Sequence, residues 1–321
     1  MIVNHTSGGR MGNQLMQLLH LAASAREYGW KIWDVAFHAK REFSIRRLPN
    51  LRVDNIPWLV WVLFRIPIVS CLVSILKYLG GSFVNVFCCR PGKMPLELAE
   101  LNKSHSWVIM NCWPYTDYRS LYLHQNELRQ FIAPKDEYIK EAAEWLQEIR
   151  IPDAVLVGVH IRRTDYQYFC DGKHYFELDF YKKKMLEIQR FSTQKVQFVI
   201  CSDERVDEAS FLDEIEHLCI SRHSFMADFA ILSMCDYLIG PPSTFASTAS
   251  FLGNAKRFTL YTDKDKIESF DSFGVSMIDF DDVHIWKENQ RLYRFHIKLS
   301  EGSVVSCSPV CDYKAISCSP K

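Results

Sequence analysis

The sequence has no surplus of either charge: 38 Lys and Arg stand against 38 Asp and Glu. A general nucleic-acid-binding role leaves a net basic field, so any anion site in this chain is local. There is no C-x-x-C pair, and the 11 cysteines are odd in number, with Cys88 and Cys89 adjacent. That pattern supports neither a disulfide framework nor a zinc site, and the tail cysteines Cys307, Cys311 and Cys318 have no histidine at ligand spacing. Free thiols in a reducing compartment are the expectation. Only 13 Gly and 12 Pro among 321 residues, without an internal repeat, exclude fibrous and disordered classes. No signal-peptide pattern opens the chain, because MIVNHTSGGR passes straight into a strand and a glycine turn.

An uninterrupted apolar run is also missing. The longest candidate, Pro57–Leu79, carries Arg65 and Pro67 in its middle, and a central charge is costly in a bilayer. A span would also put the N-terminal glycine turn and the arginine motif HIRRTDY on opposite sides of the membrane. Two other readings stand: a buried helix pair, or a surface that rests on lipid through Trp58, Trp61 and Phe64. The expected location is cytoplasmic, with residues 57–79 as the one candidate for peripheral membrane contact.

What the chain does have is a globular composition, 48% hydrophobic and 24% charged, with 8 Trp and 21 Phe for a large core. Its length predicts two domains. MIVNH reads as a strand, TSGGRMGN as a turn, and Leu15, Leu18, Leu19, Ala22 and Ala25 recur at helical spacing up to a capping Gly29 before the strand KIWDVAF. Residues 90–135 read as irregular. Alternation returns with a helix near Lys135–Ile149 and a strand Ala154–Ile161. A helix around Leu178–Arg190, the strand Val196–Ile200 and a helix near Ala227–Cys235 follow. The strand YLIG, the turn PPSTF, a helix to Leu252 and the strand RFTLY complete the series. Such alternation predicts mostly parallel sheets with helices on both faces. The expected division is an N-terminal domain over 1–150, a second domain over 151–306 and a loose tail over 307–321, with the seam near IRIPD.

Ligands of open parallel sheets sit outside the carboxyl ends of the strands, and three polar clusters fall there. In HIRRTDY, an extended backbone puts His160 and Arg162 on one face and Arg163 on the other. One guanidinium can then grip phosphate oxygens while its neighbour anchors itself, and Asp165 can orient an arginine or act as a base. The bland alternative is a salt-bridged strand end. In VICSDE, Ser202 and Asp203 offer hydrogen bonds to a base or a ribose, or ordinary caps. In GPPSTF, Ser243 and Thr244 open a helix whose N-terminus can hold an anion, or Ser243 merely caps it. GGRMGNQ is neither a full G-x-G-x-x-G nor a P-loop, which argues against a dinucleotide oxidoreductase or an NTPase. Together the clusters are the parts of a nucleoside-diphosphate pocket.

GGRMGNQLMQ, HIRRTDY with YFELDFYKK, the SDE after its strand, and DFAILSMCDYLIGPPSTF resemble, in that order, the bacterial and animal α-1,2-fucosyltransferases of the glycosyltransferase family 11 type. GRMGNQ also looks like the glycine turn of protein O-fucosyltransferases. The resemblance leaves out residues 35–130 and the tail. It implies a GT-B-like fold of two Rossmann-type domains, the first on the acceptor side and the second binding the sugar nucleotide. It implies GDP-fucose as donor, and inversion at the sugar carbon without a metal or other cofactor. The acceptor would be a sugar hydroxyl of an oligosaccharide or lipid-linked glycan, as in surface-glycan or O-antigen assembly. By the same resemblance Arg162 holds the donor β-phosphate, His160 and Asp203 the nucleoside end, Ser243–Phe245 the pyrophosphate, and Asn13 approaches the fucose. Gly12, Arg163, Ser202 and Thr244 complete the expected donor site; Arg162, Asn13 and Asp165 are the catalytic candidates. The chain departs from the family where Ala246, Ser247 and Thr248 replace a serine followed by a Trp pair, so linkage and acceptor do not carry over.

Two rivals remain. Asp279, Asp281 and Asp282 in IDFDD, with Asp263 and Asp265 in TDKD, suit a metal-dependent GT-A transferase, in which an ion takes over the electrostatic task of Arg162. A carbohydrate-binding protein that keeps the fold without catalysis is the other.

Overall fold

The computed structural model describes residues 1–5, 9–53, 84–87, 96–111, 113–211 and 213–277. The apolar segment 57–79, the cysteines Cys88 and Cys89, the aspartates after Met277 and the tail lie outside the described residues.

The N-terminal sheet contains β1 (Ile2–Asn4), β2 (Ile32–Asp34), β4 (Leu51–Arg52), β5 (Val84–Phe87) and β6 (Trp107–Met110), in the order β4-β2-β1-β6-β5. Every pairing is parallel, with Ile2 facing Ile32 on one side and Val108 on the other. The 18-residue helix α1 (Met11–Tyr28) joins β1 to β2, as the spacing of its leucines and alanines predicts. Its small residues Ala22, Ala23 and Ala25 are fully buried and allow neighbours to approach on several sides. Gly29, at φ 66, ends it in the left-handed cap that glycine favours. Central strand β6 falls in the stretch read as irregular from sequence. So do the helices α2 (Leu96–Ser104), α3 (Tyr118–Leu123) and α4 (Gln125–Phe131) and the strand β7 (Ile132–Pro134), which pairs antiparallel with β3 (Phe43–Ile45).

Helix α5 (Asp136–Ile149) leads to the second sheet: β8 (Val155–Ile161), β9 (Val196–Ser202), β10 (Leu218–Ile220), β11 (Tyr237–Gly240), β12 (Lys256–Thr259) and β13 (Gly274–Val275). Their order is β10-β9-β8-β11-β12-β13. All pairs are parallel except the last, β12 with β13. Counted within the sheet, this is the doubly wound 3-2-1-4-5-6 order, in which the order of strands reverses between β8 and β11. Helices α6 (Leu178–Phe191), α7 (Phe225–Ser233) and α8 (Thr244–Gly253) make the connections.

Period-two alternation along β8 divides the core. Val157, Val159 and Ile161 face a cluster with Phe198, Ile200 and Tyr181. Leu156 faces the opposite cluster, which continues through α7 and α8 into α1 and the N-terminal sheet. His160 shares the Leu156 face, where it meets Phe245 at the start of α8. The architecture is α/β and GT-B-like, with two mostly parallel Rossmann-type sheets.

Candidate functional site

The carboxyl ends of the two sheets meet. Thr244 Oγ1, at the start of α8, donates to Asn13 Oδ1 in the first turn of α1 at 2.6 Å, although 231 residues separate them. Gly12 makes this approach possible: a Cβ there would stand 2.5 Å from the backbone nitrogen of Phe245. Two helix N-termini therefore lie side by side. The first turn of neither helix contains an acidic residue, and neither N-cap side chain makes a capping bond. Converging N-termini place unsatisfied N–H groups and two positive dipole ends at one point, which favours an anion.

Ser243 precedes α8 and is only 5% exposed, yet its Oγ has no hydrogen-bond partner among the described residues. Of the two roles read from the sequence, capping is not what this hydroxyl does. Thr244 binds Asn13, and the Phe245 ring stacks on His160 at 5.4 Å between centroids and 23° between planes. His160 is buried, and neither ring nitrogen forms a hydrogen bond of good geometry, although the backbone of Cys201, its partner across the sheet, lies close to the ring. Burial, helped by the positive charges of Arg257 and Arg162, pushes His160 down to about 3, so the ring is neutral at physiological pH.

The two arginines diverge as the strand geometry predicts. Arg162 Nε and Nη2 grip Asp165 at 3.0 and 2.7 Å, and its guanidinium lies over the Tyr166 ring at 4.7 Å. This bidentate contact and the stacking fix the plane of the group before any ligand arrives. Hydrogen bonding from Arg162 holds the Asp165 carboxyl below its usual range, against a smaller effect of burial. A carboxylate tied at both oxygens and lowered in pKa is suited to orienting Arg162 rather than to taking a proton. Arg10, from the glycine turn before α1, adds a contact to Asp165 at 3.7 Å.

Arg163 turns away. It pairs with Glu177 and Glu204, each at 3.1 Å, and meets the Tyr175 hydroxyl. Asp203 accepts from the Arg163 and Thr164 backbone N–H groups at 2.9 and 3.4 Å and from the Thr164 hydroxyl at 2.6 Å, so it braces the turn that separates the arginines. Ser202 belongs to the end of β9, where its Oγ accepts from the Glu204 N–H at 3.2 Å. Asp265 of TDKD accepts from Tyr261 N, Thr262 N and Thr262 Oγ1, at 2.5, 2.9 and 2.9 Å, which makes it a turn-forming carboxylate. Among the described residues no group of three or more His, Cys, Asp or Glu forms a metal cluster, and no helix is long and apolar enough to cross a membrane.

Three participants escaped the sequence reading. Arg10 stands inside the GGRMGN turn but has no local partner to mark it. Tyr166, in HIRRTDY, is buried under Arg162 and donates through its hydroxyl to the Pro242 carbonyl. Arg257, in an ordinary-looking KRFT strand, is 4% exposed beneath the PPST turn.

No protein-family model matches this chain, and no curated protein sequence does. Solved structures do. A mutant of Arabidopsis thaliana FUT1 in complex with GDP matches with a TM-score of 0.57 at 14% identity, over 86% of this chain and 74% of that one. The Bradyrhizobium fucosyltransferase NodZ matches with a TM-score of 0.50 at 16% identity, over 83% of this chain and 97% of that one. At these identities the likeness shows the fold, which is that of GT-B fucosyltransferases.

Proposed function

We propose that this chain is a glycosyltransferase that moves L-fucose from GDP-fucose to a sugar hydroxyl. The observation that carries the reading is the meeting of the two switch regions: the Asn13–Thr244 contact sets the first domain's glycine turn on the second domain's arginine and helix-terminus anion site. Arg162 and the open N–H groups of α8 suit a diphosphate, and buried, neutral His160 stacked on Phe245 suits a group next to it that is uncharged. The structural neighbours bound to GDP or named as fucosyltransferases support GDP as the nucleotide.

In this mechanism the acceptor hydroxyl oxygen attacks the anomeric carbon from the face opposite the diphosphate and gives up its proton to water. The carbon–oxygen bond to phosphate breaks, its electron pair leaves with GDP, and the configuration inverts. Negative charge grows on the β-phosphate as the bond breaks, and Arg162, already held flat by Asp165 and Tyr166, meets it without reorganisation. No metal takes part. The acceptor is a glycan handled in surface-polysaccharide or O-antigen assembly, and an α-1,2 linkage to galactose is the first to examine. The reaction is cytoplasmic, with the segment 57–79 providing any membrane contact.

The purified protein, incubated with GDP- and UDP-sugars and an oligosaccharide array, should release GDP from GDP-fucose and label a galactose-terminated acceptor. Turnover of a UDP-sugar alone refutes the donor assignment. Binding of GDP-fucose with neither transfer nor hydrolysis identifies a carbohydrate-binding protein instead.

A further inference from the structure

Arg257 lies on β12, behind the turn that leads from β11 into α8. Its Nη2 donates to the Pro241 carbonyl at 2.6 Å, and its Nη1 donates to Ser247 Oγ at 2.7 Å and reaches Ser276 Oγ at 3.5 Å. Its Nε has no partner, and no carboxylate of the described residues lies within ion-pair distance. A guanidinium keeps its proton under all ordinary conditions. At 4% exposure, with two hydroxyls and one carbonyl as its contacts, this buried cation has no counter-charge among the described residues. Buried charges are ordinarily paired, since desolvation is costly. A neutral side chain would hold the same carbonyl at less cost.

The place of the charge explains why it is kept. Pro241 and Pro242 form the turn before Ser243, and both carbonyls are drawn back: the first by Arg257, the second by the Tyr166 hydroxyl. The peptide joining Pro242 to Ser243 is trans, as the one cis bond among the described residues is Trp113–Pro114. In a planar trans peptide the N–H points opposite to the carbonyl. Anchoring Pro242 O therefore fixes the direction of the Ser243 N–H, beside the unpartnered Ser243 hydroxyl. Ser247, the other close partner of Arg257, lies one turn into the same helix. Arg257 also lies near enough to the buried His160 for its charge to add to the effect of burial in lowering that ring.

We propose that Arg257 is a positioning residue that supplies buried positive charge behind the diphosphate site and holds the Pro241–Ser243 turn in its anion-binding shape. The proposal rests on the GDP-fucose donor reading and deepens it. Arg257 acts through the turn and through its field, while Arg162 contacts the phosphate.

Isothermal titration with GDP and with guanosine separates the charge from the shape. Arg257→Gln keeps hydrogen-bond donors and loses the charge; Arg257→Lys keeps the charge. With folded fractions matched by circular dichroism, the Gln variant should bind GDP roughly tenfold or more weakly, with guanosine affinity unchanged and the Lys variant within about threefold of wild type on GDP. Equal GDP binding by the Gln variant and wild type overturns the proposal. Equal losses of GDP and guanosine binding overturn it too, because they mark a general loss of structure. Should the Gln variant fail to fold, the Lys variant decides: a tenfold loss on GDP overturns the role of charge, and retained affinity supports it. Wild-type protein that binds neither ligand refutes the donor reading itself, an outcome distinct from all of these.

Discussion

At the carboxyl end of the N-terminal sheet, Gln17 Nε2 donates to Asn4 Oδ1 at 2.9 Å and Asn4 Nδ2 to Asp34 Oδ1 at 3.0 Å. The same Asp34 oxygen accepts from the backbone of Ala36 and Phe37 at 2.9 and 3.2 Å. At the carboxyl end of the C-terminal sheet, equally buried groups are left over: both nitrogens of His160, the hydroxyl of Ser243 and Nε of Arg257. Both ends sit at a topological switch, so topology alone does not separate them. The difference lies in how the polar atoms are used. These bonds tie α1, β1 and β2 together and fix the chain around the first glycine turn. Leftover polar groups and a spare cation, held in shape from behind, are what the proposed anion site offers.

The sharpest way to break this contrast is to remove the charge at the open end. Arg162→Ala should lower transfer by about 10²–10³ while melting within a few degrees of wild type, because its ties are to Asp165 and Tyr166 at the cleft. Arg163→Ala strips Glu177 and Glu204 of their partner and should act first on stability, by about 1–3 kcal/mol. Steady-state kinetics with thermal melts on both variants decide the matter. Equal activity of Arg162→Ala and wild type at matched folded fraction removes that arginine from the mechanism.

Joining the two ends more loosely should cost next most. Gly12→Ala forces a methyl against the Phe245 nitrogen, and backbone cannot yield as a flexible side chain can. The expected loss is roughly ten- to a hundredfold in kcat/KM, with about 1–3 kcal/mol of stability. Full activity in this variant would show that the helix N-termini need not touch.

These two sites also mark how far the sequence could be read. The opposed arginines follow from the period of two along VGVHIRR, and the βαβ alternation led to the parallel order on both sides of the molecule. Gly29 and the start of α8 were legible because caps and turns are local chemistry. Arg257 was not: its contacts lie at Pro241, Ser247 and Ser276, 10 to 19 residues away, and a buried arginine in KRFT looks like an exposed one. Strand β6 was missed because WVIM has only four residues and shows no alternation; its identity comes from lying between β1 and β5. The bracing role of Asp203 depends on strand pairing that spacing does not reveal.

The two ends should also titrate in opposite senses. Burial raises Asp34 from 3.8 to about 6, partly offset by its hydrogen bonds from Asn4, Ala36 and Phe37. Its contribution to stability is complete below about pH 3.8 and is lost as pH rises through about 6, by a total on the order of 3 kcal/mol. His160, lowered to about 3, contributes fully above its unfolded value near 6.5 and loses that contribution as pH falls toward 3. Denaturant melts of Asp34→Asn between pH 4 and 7.5 should show the stability gap to wild type moving in the variant's favour as pH rises. The His160→Gln gap should move the other way over the same range. GDP affinity of folded Asp34→Asn should stay within about threefold of wild type. A parallel pH course for the two variants would erase the distinction between the ends.

The smallest effect expected is none at all, and it tests whether the open end carries its own positive charge. A divalent ion and a preorganised guanidinium do the same work on a leaving diphosphate, which is to meet charge as it develops. At this site Arg162 is fixed by two hydrogen bonds and a ring face, Arg257 stands behind the turn, and the N-termini of α1 and α8 meet. The proposed site thus carries positive charge of its own. Asp265, the aspartate of the TDKD pair that the structure shows in use, spends its oxygens on the turn it belongs to. Asp279, Asp281 and Asp282 lie outside the described residues, so the chemical test has to reach them as well. Transfer from GDP-fucose should continue at an unchanged rate in excess EDTA, and Asp279→Ala should keep most of its activity. If chelation stops turnover and Mn²⁺ or Mg²⁺ restores it, the metal-dependent alternative is right, and the contrast between a hydrogen-bonded end and an arginine-charged one no longer accounts for the chemistry.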